Sequence, residues 1–236
     1  MALKEFIDST CFWYWIDTVQ AGEMMKNVYI SAHAGEPLRD YLKSKGKNII
    51  DVSGSAVYDA VAAHPDIYMC RTKDGIIFGD QAKLNRDYPE NIIYNAVVLD
   101  RYLIHNLKYT ADEIIRYADA SGLVKIHVNQ GYTKCSCVVV DGNTVITADS
   151  GIEKALRAYP DIDALVIEPG HVAITGHDEG FLGGASGRVD DEIVFNGDLS
   201  RHPDFERICE FIASKGLKVK YFTQYPLTDI GSIIEG

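Results

Sequence analysis

Along this chain, short runs of continuous or alternating apolar residues take turns with segments in which apolar residues return every three or four positions. The first pattern fits a strand, and the second fits a helix that buries one face. Residues 27–30 (NVYI) read as a strand. Leu38, Tyr41 and Leu42 place a helix over 37–44, with Pro37 in its first turn and Gly46 as its stop, and residues 48–52 (NIIDV) read as a second strand. That order of strand, helix, stop and strand comes back. Helices are expected over 111–122, 150–161 and 202–216, each followed by a strand at 123–128, 164–169 and 217–222. A fifth and weakest instance places a short helix or turn over 80–90 ahead of a strand at 91–98.

Paired strands stand ahead of three of these helices. Residues 67–80 (IYMCRTKDGIIFGD), 137–149 (CVVVDGNTVITAD) and 187–198 (GRVDDEIVFNGD) each hold a strand, a turn on Asp-Gly or Asp-Asp, a second strand and a closing acid. Such turns between apolar runs signal hairpins. The acids are Asp80, Asp149 and Asp198, and the first two read best as caps of the helices that follow them. HPDI at 64–67 and YPDI at 159–162 are a second shared phrase. About five ββαβ-like repeats result, complete in the second half and degraded at the start. No unit buries its apolar face alone, so the chain is expected to form a single α/β domain over 1–236. Its aromatic-rich first 26 residues would pack on that domain or on a partner subunit, which makes a homodimer through this segment one expectation.

Composition narrows the function classes. At 236 residues, 47% hydrophobic and 24% charged, the chain is long enough for a substantial core and ordinary in its balance. A net charge of -11 disfavours nucleic-acid or anionic-membrane partners and is compatible with a small cationic ligand. Five cysteines, odd in number and without framework spacing, point to reduced thiols and a cytoplasmic setting. The opening segment carries Asp8 and Asp17 and does not read as a signal peptide, and no run approaches the roughly 20 apolar residues of a membrane span.

The densest glycine usage lies at 176–198, GHDEGFLGGASGRVDDEIVFNGD, which lacks the lysine and the spacing of a phosphate-binding loop. With QGYTKCSCVVVD at 130–141 and PLTDIGSII at 226–234, this phrase resembles the pentein, or guanidino-group-modifying, superfamily of arginine and agmatine deiminases, amidinotransferases and dimethylarginine hydrolases. Within it, the three phrases are most similar to a family of uncharacterised bacterial proteins. The resemblance implies a pentein-type α/β-propeller. It also implies a cysteine thiolate attacking a guanidinium carbon, a histidine moving the proton, and carboxylates holding the substrate's nitrogens. Here Ile234 and Glu235 stand where that histidine-cysteine pair is expected.

Two substitutes are available. Cys135, beside Lys134, is a candidate nucleophile and His177 a candidate base; alternatively Cys135 and Cys137 are small apolar residues where a strand begins, and His177 closes a turn. The candidate ligand-binding residues are Asn129, Lys134, Ser136, His177, Asp178, Glu179, Gly183, Gly184, Asp198 and Asp229. No metal is expected, since His171, His177 and Asp178 lack ligand spacing, and no cofactor is implied. The leading expectation is a protein that binds a small polar, cationic molecule, guanidino or amino-acid-like, without cysteine-histidine chemistry. The alternatives are a C–N hydrolase or amidinotransferase working through Cys135, and a structural or interaction protein.

Overall fold

A computed structural model describes residues 26–236. The expectations for the aromatic opening segment, including a dimer contact, lie outside the described residues. The strands are β1 (Asn27–Ser31), β2 (Asn48–Val52), β3 (Met69–Thr72), β4 (Gly75–Phe78), β5 (Val97–Val98), β6 (Tyr102–His105) and β7 (Val124–His127), followed by β8 (Cys137–Asp141), β9 (Thr144–Thr147), β10 (Asp163–Val166), β11 (Ser186–Val189), β12 (Glu192–Phe195), β13 (Lys218–Lys220) and β14 (Ile234–Glu235). The helices are α1 (Glu36–Ser44), α2 (Pro65–Tyr68), α3 (Asp112–Ala120), α4 (Ser150–Leu156) and α5 (Phe205–Ser214).

Hydrogen bonding divides the strands into five sheets, ordered β14-β1-β2, β3-β4, β5-β6-β7, β8-β9-β10 and β11-β12-β13. In the three-stranded sheets an antiparallel pair is followed by a helix and a strand that returns parallel to the second strand of the pair. The first sheet obeys this scheme by taking its opening strand from the end of the chain, with Val28 opposite Glu235 and Tyr29 opposite Ile234. Across sheets, β3 lies against β5, and β11 lies against both β8 and β14. The architecture is thus mixed α/β with five separate sheets; the strand pairings do not join them into one closed barrel among the described residues.

The helical period explains why the helices sit where they do. Each of the four longer ones buries a pair one turn apart: Leu38 and Leu42, Ile114 and Ala118, Ile152 and Leu156, Ile208 and Ile212. Side chains at i and i+4 share one face, and each large aliphatic group so buried contributes about 1.5–3 kcal/mol. One of the resulting cores packs Ile208 and Ile212 against Phe195, Ile193, Ile146 and Val138. The expected helices therefore form, though α4 stops at Leu156 and α5 starts only at Phe205.

One expected strand does not form as read. Of residues 91–98 only Val97–Val98 pair, because Asn95 N–H turns back to the Ile92 carbonyl and the Tyr94 hydroxyl accepts the Asp80 N–H from inside the core. The apolar run is a buried loop, not a strand. The three acids that close the hairpins all cap the turn after them: Asp80 accepts from Ala82 N–H, Asp149 from Ile152 N–H and Asp198 from Ser200 N–H. No helix among the described residues is long and apolar enough to cross a membrane.

Candidate functional site

Where β8, β11 and β14 begin, the connecting segments converge on a cluster of buried polar side chains. Pro65 opens α2, which fixes His64 in extended backbone before it and Asp66 in its first turn. Asp66 donates its own N–H to the Gly231 carbonyl, tying α2 to the last segment of the chain. The Cys135 thiol donates to Asp66 Oδ2 at 2.9 Å, and the Ser232 hydroxyl donates to the same oxygen at 2.7 Å. Lys134 Nζ donates to Ser232 Oγ at 2.9 Å, and its N–H and that of Cys135 are both held by Asn95 Oδ1. Ser232 sits at φ 75, a left-handed conformation that non-glycine residues adopt rarely and that recurs at functional sites.

Asp229 forms the other side of the cluster. Its carboxylate accepts the N–H of Gly231 and of Phe181, each at 2.9 Å, and one oxygen stands 3.8 Å from His64 Nδ1. The glycine-rich segment wraps this carboxylate closely: a Cβ on Gly184 would lie 2.1 Å from Asp229 Oδ1. Burial governs the ionisation here. It pushes the Asp66 carboxyl up, pushes Asp229 up to about 6 against its two backbone donors, and pushes His64 down. It also drives the Cys135 thiol well above its usual range, with Asp66 and Asp229 adding to the effect. A thiol held neutral in this way is a poor nucleophile.

At the other end of the same strands lies a cavity of about 390 Å³. Every sheet contributes its edge strand to it: Arg71 from β3, Val98 from β5, Val140 and Asp141 from β8, Gly187 and Arg188 from β11, and Ile234 and Glu235 from β14. Lys134 reaches it from the buried cluster, and Lys73 and Asp100 stand at its margin. Lys26 is paired with Asp190 and Glu235. Arg71, Lys73, Lys134 and Arg188, and likewise Asp100 and Asp141, form no ion pair among the described residues. Arg188 spends two of its donors on the carbonyls of Asp190 and Val140.

A family model described as "Family of unknown function (DUF6873)" matches residues 29–234. The chain belongs to DUF6873. No curated protein matches it. Among solved structures, this DUF6873 chain is similar to a dimethylarginine dimethylaminohydrolase adduct with 4-chloro-2-hydroxymethylpyridine, at 14% identity and a TM-score of 0.49, over 85% of this chain and 93% of that one. It is also similar to C. jejuni agmatine deiminase, at 9% identity and a TM-score of 0.36, over 53% of this chain and 49% of the other.

The residues singled out from the DUF6873 sequence divide into those the fold brings together and those it does not. Lys134, Cys135, Gly183, Gly184 and Asp229 meet in or around the buried cluster, where the Gly183 carbonyl accepts from Lys134 and Ser232. Ser136 is buried beside them, and its carbonyl accepts from the Thr147 hydroxyl. Asn129 is exposed and borders a separate hollow with His127, Gln130 and Asp149. His177, Asp178 and Glu179 are exposed, and His177 sets its ring edge-on to Tyr58. Asp198 is engaged as a cap and as the partner of Arg201 at 3.0 Å. The suggested pairing of Cys135 with His177 is therefore replaced by Cys135 with Asp66.

Ile234 and Glu235 have structural work of their own. Ile234 pairs with Tyr29, and Glu235 binds Lys47 at 2.7 Å. The group that the last segment delivers to the cluster is Ser232. His64, Asp66, Asn95 and Ser232 carry no site signal in the sequence: the HPDI phrase holds the first two, but reads there only as a sign of repetition.

Proposed function

We propose that this DUF6873 protein binds a small zwitterionic, amino-acid-like molecule in the cavity that the five edge strands line, and that the five sheets are the blades of a pentein-type propeller around it. Two features support the propeller reading: the end of the chain completes the sheet that its beginning opens, and all five edge strands share one hollow. The observation that carries the ligand reading is the pair of opposed charge sets on that hollow. Arg71, Lys73 and Arg188 suit a carboxylate, which a guanidinium grips bidentately, while Asp100 and Asp141 suit an ammonium or guanidinium group. A volume of about 390 Å³ falls in the range of small-molecule sites.

Binding without covalent chemistry is the form of this reading that the cluster supports, since its thiol is buried and protonated beside a carboxylate. The test is a thermal-shift screen of free amino acids, agmatine and guanidino acids on the wild type, Arg188→Met and Asp141→Asn. A concentration-dependent rise in the wild type, lost in both variants, is expected. Equal behaviour of all three proteins, or no rise with any compound, would refute the proposal.

A further inference from the structure

The buried cluster contains a ligand set that the cavity reading leaves unused. His64, Asp66 and Cys135 each offer one donor atom, and the three atoms lie within 4.8 Å of one another. Two atoms of these same residues, His64 Nδ1 and Asp66 Oδ1, have no hydrogen-bond partner among the described residues. Both residues are more than nine-tenths buried, at 4% and 0% exposure. The large majority of buried side-chain polar atoms in folded proteins are partnered, so orphans on two residues of one candidate ligand set call for an explanation.

We propose that His64, Asp66 and Cys135 form a zinc site. One imidazole nitrogen, one carboxylate oxygen and one thiolate sulfur are the donor types that Zn²⁺ takes, and three protein ligands leave a fourth position for solvent. Ligand atoms of a tetrahedral zinc sit roughly 3.3–3.8 Å apart, given bonds of about 2.0–2.3 Å. The spread seen here closes to that with a small inward movement of side chains. On binding, the Cys135 proton leaves to solvent, the Sγ–H to Asp66 bond breaks, and sulfur and carboxylate oxygen both bond the metal. The cluster and the ligand cavity share Lys134, but none of His64, Asp66 and Cys135 lines the cavity.

The test uses Zn²⁺ and Co²⁺ alone, with no organic ligand. Elemental analysis of wild-type protein equilibrated with Zn²⁺ and freed of excess should give one equivalent per chain. The Co²⁺ form should show a thiolate-to-cobalt charge-transfer band in the near ultraviolet together with the visible bands of tetrahedral cobalt. Cys135→Ser should lose the charge-transfer band and weaken metal binding by at least about tenfold, while Cys137→Ser, which removes the neighbouring thiol, should keep both. A wild type that retains well under one equivalent and gives no charge-transfer band overturns the site, as does a band that survives in Cys135→Ser. Because the wild-type spectrum decides by itself, a variant that fails to fold does not shelter the proposal.

Discussion

Gly187→Ala is the change that most sharply probes how the last segment of the chain closes against β11. Gly187 pairs with Val194 in the hairpin, and its other face meets the backbone of Ile233. A Cβ added there would stand 1.8 Å from the Ile233 carbonyl oxygen and 2.7 Å from its carbonyl carbon. Ordinary contact begins near 3.4 Å, so the carbonyl would have to retreat by about 1.6 Å. Nothing flexible lies in the way, because the obstructing atom is main chain. Ile233 is itself fixed, through its N–H to the Ser186 carbonyl at 2.9 Å and through its side chain among Val28, Ile30 and Val189. Overpacking costs about 1–3 kcal/mol and a lost backbone hydrogen bond about 1, so a destabilisation of about 3 kcal/mol is expected. Gly216→Ala is the control: its φ of 74 imposes a left-handed penalty of about 1–2 kcal/mol, but no atom lies within 4 Å of the new methyl. Urea unfolding followed by circular dichroism measures both. If Gly187→Ala costs less than about 1 kcal/mol, or no more than Gly216→Ala, the close approach of β11 and the closing segment is wrong.

Three further outcomes are expected. Asp149→Ala removes the carboxylate whose two oxygens accept the Ile152 N–H and the Gln130 amide, and should cost about 1 kcal/mol in urea unfolding; no loss would remove the capping role. His105 is held neutral in the core between Thr110 and the Gly131 carbonyl, and burial pushes its pKa from 6.5 to about 4. The stability this provides is fully present above pH 6.5 and is lost as pH falls toward 4. Wild type should therefore lose about 3 kcal/mol more than His105→Gln across that window, and parallel curves would refute the assignment. Finally, Cys135 should resist iodoacetamide at neutral pH in native protein and react only in denaturant, read by peptide mass spectrometry; selective native labelling would restore it as a nucleophile.

Much of the fold is legible along the chain because its determinants are local. The hairpins at 67–80, 137–149 and 187–198 carry their turn residues and their period-two runs within a few positions, and each forms. The run at 91–98 misleads because its apolar residues match a strand, whereas Asn91 and Asn95 within it are buried and hold other segments by their amides. The site is the least legible part. His64 and Asp66 lie two apart, but Asn95, Cys135 and Ser232 are far from them and from one another in sequence and meet them only through packing, so no spacing rule marks the set. The glycines of 176–198 are visible, but what they make room for comes from elsewhere in the chain: Asp229 at Gly180 and Gly184, and main chain of Cys135 and Cys137, Ile233 and Pro226 at Gly183, Gly187 and Gly197. His177, Asp178 and Glu179 looked pocket-like only for standing beside those glycines, and the fold leaves them exposed.

Whether the cavity shared by five edge strands binds a ligand is read by amide chemical-shift mapping, with isotope-labelled protein titrated with whichever amino acid or guanidino compound raises the melting temperature most. Shifts are expected at Arg71, Val98, Val140, Arg188 and Glu235, at least one residue from every sheet, with saturation at a common ligand concentration. Shifts confined to residues 176–184, or none that saturate, would contradict binding in this cavity.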